Sequence, residues 1–186
     1  MFLLEKDKLE TDRKKKNIIE LTRTSLREYR EKEKLPIAVL LDTVRSMYNV
    51  GAVFRTADAF LLHGIMLSGI TGCPPHPEIS KTALGAEESV EWSYFSDSVE
   101  AVKEMKKKGW KICVLEQTHN SLPLQDFIPL KNEKYLLVAG NEVNGVNQEI
   151  VDKADIVIEI PQYGVKHSLN VSVSVGIALW QMVEKY

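Results

Sequence analysis

Short apolar runs, separated by stretches with helical spacing, constrain this chain more than any other feature. Ile37-Ala-Val-Leu-Leu41 is unbroken, and Trp110–Leu115 and Tyr135–Ala139 are nearly so. A half-exposed strand would alternate apolar and polar residues; a strand covered on both faces reads as a continuous run. Gly64–Leu67 and Asp155–Ile160 read as further strands. Between them, apolar residues at Val50, Val53, Phe54, Ala57, Phe60 and Leu61 predict a helix over about 50–62. Residues 97–108 predict a polar, Lys-rich helix, and 148–154 a short one. Gly69–Pro77 is a loop rich in Gly and Pro. Strands alternating with helices predict an α/β domain: a mainly parallel sheet with helices on both faces and right-handed crossovers.

The last segment pulls two ways. Residues from about 170 to 185 are long enough for a helix, yet Leu169, Val171, Val173 and Val175 alternate with polar residues as a strand would. At the other end, residues 5–33 lack Pro and Gly and carry Leu9, Ile18, Ile19, Leu21, Leu26 and Tyr29, which predicts one or two amphipathic helices that stop at Leu35-Pro36.

Length and composition narrow the class. A chain of 186 residues suits one domain, and 44% hydrophobic residues suffice for a core. No run approaches the roughly 18 apolar residues of a membrane span. The apolar patch Met1-Phe-Leu-Leu4 is followed at once by charges, unlike a secretory signal. Cys73 and Cys113 lie far apart without CxxC partners, which argues against a disulfide framework or zinc site and for a reducing cytoplasm. His63, His76, His119 and His167 show no metal-ligand spacing, so no metal is expected. GxGxxG and GxxxxGK[ST] phosphate loops are missing. The net charge of −2 is uneven: residues 1–34 hold 11 of 24 basic and 8 of 26 acidic residues, while the remainder holds 13 and 18. The arm at 1–34 is therefore either a basic nucleic-acid contact or a solvated helix face.

Three segments break local rules, and such breaks tend to mark function. In Asn49-Val-Gly-Ala-Val-Phe-Arg55, Asn49 is placed to cap the helix, Gly51 lets another backbone or a ligand come close, and Arg55 either pairs with Asp58 on the surface or serves a ligand. Gly140-Asn-Glu142-Val-Asn-Gly145 follows an apolar strand, where α/β proteins place ligands, though glycine there also makes a tight turn. Glu142 would repel a phosphate and suits an amine, a hydroxyl or an arginine. In Ile160-Pro-Gln-Tyr-Gly-Val-Lys-His-Ser168-Leu-Asn170-Val-Ser172, small polar residues crowd the start of the last helix, as caps or as site residues.

In order and spacing, NVGAVFRTADAF, GNEVNG and IPQYGVKHSLNVSVSVGIALW resemble the three motifs of the SpoU (TrmH) family of RNA ribose methyltransferases, in the SPOUT superfamily; KTALGAEES at 81–89 resembles a further family segment. The resemblance spans about 36–184. It implies a domain at 35–186 whose C-terminal part forms a deep trefoil knot, with 1–34 as a basic helical extension, and it favours a helix after Asn170. It implies S-adenosylmethionine as cofactor, held at Leu115, Gln117, Gly140, Ile160 and Leu169. It implies a homodimer that completes the pocket across its interface, anchored by Val173, Ile177 and Trp180. The reaction implied is methyl transfer to a ribose 2′-hydroxyl, with Arg55, Asn49, Glu142, Ser168 and Asn170 as the catalytic group. Arg13, Lys14, Lys15, Lys16, Arg23, Arg27 and Arg30 would hold the RNA backbone. A tRNA stands ahead of ribosomal RNA as substrate, since the chain is compact and its extensions are short. A non-catalytic RNA-binding dimer is the alternative from another class.

Overall fold

The computed structural model describes residues 15–17, 20 and 24–186. They fall into two units divided between Lys32 and Glu33. In the first, helix α1 (Leu26–Glu31) opens on a capping box: the Ser25 hydroxyl accepts from Glu28 N–H, and the Glu28 carboxylate accepts from Ser25 N–H. Of the one or two helices expected over 5–33, α1 is the one among the described residues, Lys15–Asn17 and Glu20 are non-helical, and the other residues before Thr24 lie outside the described ones. Arg13, Lys14 and Arg23 lie outside the described residues. Lys15 and Lys16 are exposed, as are Arg30 and Arg27, which pairs with Glu31 one turn on.

The second unit is built on seven strands: β1 (Leu35–Asp42), β2 (Leu62–Ser68), β3 (Trp92–Phe95), β4 (Trp110–Leu115), β5 (Leu122–Pro123), β6 (Lys134–Gly140) and β7 (Ile156–Glu159). They form one parallel sheet in the order β3-β2-β1-β6-β4-β7-β5. The helices are α2 (Met47–Ala59), α3 (Pro77–Ala83), α4 (Ala86–Ser89), α5 (Ser98–Lys107), α6 (Gln148–Asp152) and α7 (Val171–Lys185). Side chains alternate between the sheet's two faces. Ala38, Leu40, Ile112, Val114, Leu136 and Val138 pack with Val99, Val102 and Met105 of α5 and Ile150 of α6. Val39, Leu41, Cys113 and Leu137, on the opposite face, are also fully buried, and α2 and α7 lie against neighbouring strands. Continuous apolar runs thus became central strands because both faces are covered.

Pairing register sets the site. Asp42 at the end of β1 lies beside Gly140, and Leu115 at the end of β4 lies beside Ala139 and Ile158. The carboxyl ends of β1, β6, β4 and β7 are therefore level. The conflict in the last segment resolves as a helix, whose buried residues Val171, Val175, Ala178, Leu179 and Met182 follow helical spacing. Val173, Ile177 and Trp180 form the exposed stripe, at 50%, 41% and 56%. Among the described residues no helix is long and apolar enough to cross a membrane.

Candidate active site

Helix α2 starts earlier than its apolar spacing suggests. Ser46, not Asn49, is the cap, accepting from Asn49 N–H at 3.3 Å. Asn49 thereby sits within the first turn with its amide directed elsewhere. Its Nδ2 donates to Glu142 Oε1 at 2.7 Å, and its Oδ1 accepts from Asn170 Nδ2 at 3.1 Å. Asn170 in turn caps α7, its Oδ1 accepting from Ser172 N–H (3.0 Å), Ser172 Oγ (2.7 Å) and Val173 N–H (3.4 Å). One chain of amides, ending on a carboxylate, thus joins the first segment to two others 93 and 121 residues further along the sequence.

The turn bearing Glu142 is fixed by shape and by hydrogen bonds. Asn141 Oδ1 accepts from the N–H groups of Val143 and Asn144, and Gly145 N–H returns to the Asn141 carbonyl. Gly145 has φ +66°, and a methyl there would overlap the Glu116 carboxylate. A methyl on Gly140 would overlap Gly145 itself. From β1, Thr43 Oγ1 accepts from Asn141 Nδ2 at 2.9 Å and the buried Asp42 carboxylate accepts from Asn147 N–H at 2.9 Å. Glu116 accepts from Val146 N–H and Gln117 N–H. Thr43 has φ +56°, a strained value for a β-branched residue. Sequence reasoning missed Asp42, Thr43, Glu116 and Asn141. The one available signal was position: each directly follows, or ends, an apolar strand.

These turns enclose a cavity of about 470 Å3. Leu115, Gln117, Gly140, Ile160 and Leu169 all line it, with Glu142 and Ser168. Gln117 Nε2 also donates to the His167 carbonyl at 3.1 Å, tying the β7–α7 loop across the opening. The lining includes Glu116, Glu142 and Glu159 but neither lysine nor arginine, so charge favours a cationic ligand over a phosphate. Neither cysteine lines the cavity, and burial pushes the Cys113 thiol up to about 12 and raises that of Cys73. Among the described residues no cluster of His, Cys, Asp or Glu could hold a metal.

Arg55 stands apart. It is exposed on α2, about 9 Å along the axis from Asn49 at 1.5 Å per residue, and does not line the cavity of its own chain. The surface pairing with Asp58 does not form either; Asp58 accepts from Ser89 Oγ at 2.6 Å, and Arg55 makes no ion pair or hydrogen bond among the described residues. Gly51 serves a backbone rather than a ligand, since a methyl there would overlap the Ile79 carbonyl of α3.

A parallel α/β sheet carries a cavity at its level strand ends, lined by the second and third motifs and the end of β4, and Asn49 of the first motif is tied to it through Glu142. Residues 36–180 match the model of the SpoU rRNA Methylase family, and the chain belongs to that family. Its fold is similar to that of the TrmH/SpoU tRNA modifying enzyme of A. aeolicus, with a TM-score of 0.76 and 29% identity over 86% of this chain and 81% of that one. It is also similar to an AdoMet-bound rRNA methyltransferase from Sinorhizobium meliloti, with a TM-score of 0.74 and 27% identity over 82% of this chain and 58% of that one. Among curated proteins, the 23S rRNA (guanosine-2′-O-)-methyltransferase RlmB of Neisseria meningitidis is 29% identical over 144 residues, 77% of this chain and 56% of that protein. The chain spans about three fifths of the length of the curated relatives it matches first, at 61% and 63%.

Proposed function

We propose that this chain transfers the methyl group of S-adenosylmethionine to a ribose 2′-hydroxyl of structured RNA, with tRNA ahead of ribosomal RNA. The observation that carries the reading is the Glu142–Asn49–Asn170 hydrogen-bond chain beside a carboxylate-lined cavity. The names of the relatives favour RNA methylation, and one of them specifies the 2′-oxygen. The donor set fits the cofactor by charge: a sulfonium and an ammonium suit a lining of glutamates without lysine or arginine. Leu115, Gln117, Gly140, Ile160 and Leu169 would hold it, and when bound it supplies an electrophilic methyl. The deep trefoil knot of the family and a reducing cytoplasmic setting belong to the same proposal, the latter suited to two free cysteines.

The chain's own groups position the acceptor. Asn49, itself held by Asn170, fixes Glu142, whose second oxygen has no partner among the described residues and can accept from a ribose hydroxyl or a guanidinium. Ser168 stands exposed at the same rim. A guanidinium stays protonated at neutral pH, so Arg55 is a phosphate and hydroxyl clamp rather than a free base, and phosphate or water takes the proton. Since Arg55 does not line its own cavity, it serves the cavity of a second copy. The exposed apolar stripe of Val173, Ile177 and Trp180 on α7 supports that homodimer, Trp180 keeping one ring contact with Phe60 of its own chain. Lys15, Lys16, Arg27 and Arg30, with Arg13, Lys14 and Arg23, add phosphate contacts from the arm.

Arg55→Ala tests the assignment: transfer of a tritiated methyl to bulk tRNA or rRNA falls to background, while the Kd for S-adenosylmethionine changes little. Mixing Arg55→Ala with Ser168→Ala protomers restores transfer if the arginine crosses the interface. Turnover retained by Arg55→Ala alone would remove it from the catalytic group. A wild-type chain that binds the cofactor and RNA but transfers nothing would favour the non-catalytic RNA-binding dimer.

A further inference from the structure

We infer that Tyr163 is a stacking platform for the nucleobase of the acceptor nucleotide, with Lys166 as a phosphate contact beside it, at the rim of the methyl-donor cavity. This rests on the RNA methyl-transfer reading and extends it to the recognition of the base.

The loop between β7 and α7 touches the cavity on its way out and on its way back. Ile160 and Gln162 line the wall, then His167, Ser168 and Leu169 line it again. The tip between them does not, and Tyr163 and Val165 there are 95% and 92% exposed. Fixing the return of the loop is the Gln117–His167 hydrogen bond. Tyr163 is therefore held close to the opening yet packs against almost nothing in its own chain, and both faces of its ring are open. Across the opening, Val143 on the Glu142 turn is a second apolar group left 73% exposed.

The local charge fits the same occupant. Residues 161–170 contain Lys166 and His167 and no Asp or Glu, in a segment, 35–186, that holds 18 acidic residues. An exposed aromatic ring interleaved with a cation, without carboxylates, is the pattern by which proteins hold unpaired nucleotides. Chemistry supplies the need. The base is attached at the carbon next to the one bearing the 2′-hydroxyl, so a hydroxyl placed in the opening brings its base to the rim. That base has left its stack in the RNA, and an aromatic face replaces what it lost.

The test uses the full-length chain, S-adenosyl-[methyl-3H]methionine, and bulk bacterial tRNA and rRNA as acceptors. Base–aromatic stacking of about 1–3 kcal/mol corresponds to roughly a 5- to 140-fold change in affinity at 1.4 kcal/mol per tenfold. Tyr163→Ala should raise the KM for RNA by that range with kcat little changed. Tyr163→Phe should restore the wild-type KM, and Lys166→Ala should raise KM in a salt-dependent way. The cofactor Kd and the oligomeric state should stay at wild-type values in each. Because Tyr163 is almost wholly exposed, folding is not at stake. An unchanged KM in Tyr163→Ala overturns the inference. So does a Phe variant as poor as Ala, which would mean a hydroxyl contact. A weakened cofactor Kd would make the tip a lid, and loss of the dimer would make it an interface; either overturns the platform. If the wild-type chain itself neither binds the cofactor nor methylates either RNA, the underlying function fails instead, a result distinct from all of these.

Discussion

Asn170 is where the stability of the last helix and the geometry of the site meet, and substitution can separate them. Its Oδ1 caps α7, and its Nδ2 holds Asn49. Alanine removes both. A lost N-cap costs about 1 kcal/mol, and the partly exposed bond to Asn49 about 0.5–1 kcal/mol net, so Asn170→Ala should lose about 1.5–2 kcal/mol. At roughly 2–4 °C per kcal/mol for chains of this size, Tm falls by about 3–8 °C. Aspartate behaves differently. Its carboxylate is a good cap and sits favourably at the positive end of the helix, so Asn170→Asp should melt near wild type. It cannot donate to Asn49, however, and it brings a second negative charge toward Glu142. Misplacing the acceptor by about 1 Å costs on the order of 100-fold in rate, so Asn170→Asp should be folded and nearly inactive. Thermal denaturation followed by circular dichroism and methyl transfer to bulk RNA read the two effects separately. The reasoning is refuted if the Asp variant melts as early as the Ala variant, or if it transfers methyl groups at the wild-type rate.

Two further outcomes follow from packing and charge. Gly51→Ala should lower the urea midpoint, because a methyl would overlap the Ile79 carbonyl and Thr82 Oγ1; overpacking of about 1–3 kcal/mol outweighs the roughly 1 kcal/mol gain in helix propensity, and an unchanged midpoint would show that α2 and α3 can move apart freely. The His63 ring lies tilted against Trp110 at 4.9 Å, and although the residue is exposed, partial desolvation against that ring, then Lys134 and Lys108, lower its pKa below 6.5. The folded state therefore binds this proton less well than the unfolded state, and stability present above pH 6.5 is lost as pH falls through the lowered value. His63→Gln should show a smaller drop in Tm between pH 7.5 and 5 than wild type; an equal drop would place the loss elsewhere.

What the sequence made legible was what burial writes into it. The strands at 37–41, 110–115 and 135–139 were readable because coverage on both faces demands apolar residues at every position. Two helices, Pro77–Ala83 and Ala86–Ser89, were not. They are one to two turns long, too short for periodicity to show, and they depend on local devices: a Pro at the first turn, and Leu84 and Gly85 at positive φ between them. Edge strands β3 and β5 have four and two residues and few apolar neighbours to mark them. In the site, the motif positions lining the cavity were readable through resemblance. The residues that hold the Glu142 turn were not, because Asp42, Thr43 and Glu116 act through backbone N–H groups and one amide contributed by distant chain. Nothing near them in sequence announces such a partner. The start of α2 was misplaced for a related reason: a polar first turn, Ser46 to Asn49, carries no apolar period.

The proposed function requires one site to serve a cation and a polyanion at once. Inside, glutamates line the cavity and favour a positive donor while repelling phosphate. An RNA backbone must therefore be gripped from outside. Residues 35–186 contain only two arginines, Arg45 and Arg55, and both flank or lie on α2, exposed and without an ion pair among the described residues. Arg45 lies between anchored neighbours: Thr43, bonded to Asn141, and Val44, fully buried with its N–H donating to Thr71 Oγ1, precede it, and Ser46, the cap of α2, follows it. A guanidinium on a fixed backbone loses less entropy on binding phosphate than one on a mobile arm. On the proposed function, the acidic net charge of the body would not oppose RNA binding: it would leave phosphate to cations at the surface and the interior to the methyl donor.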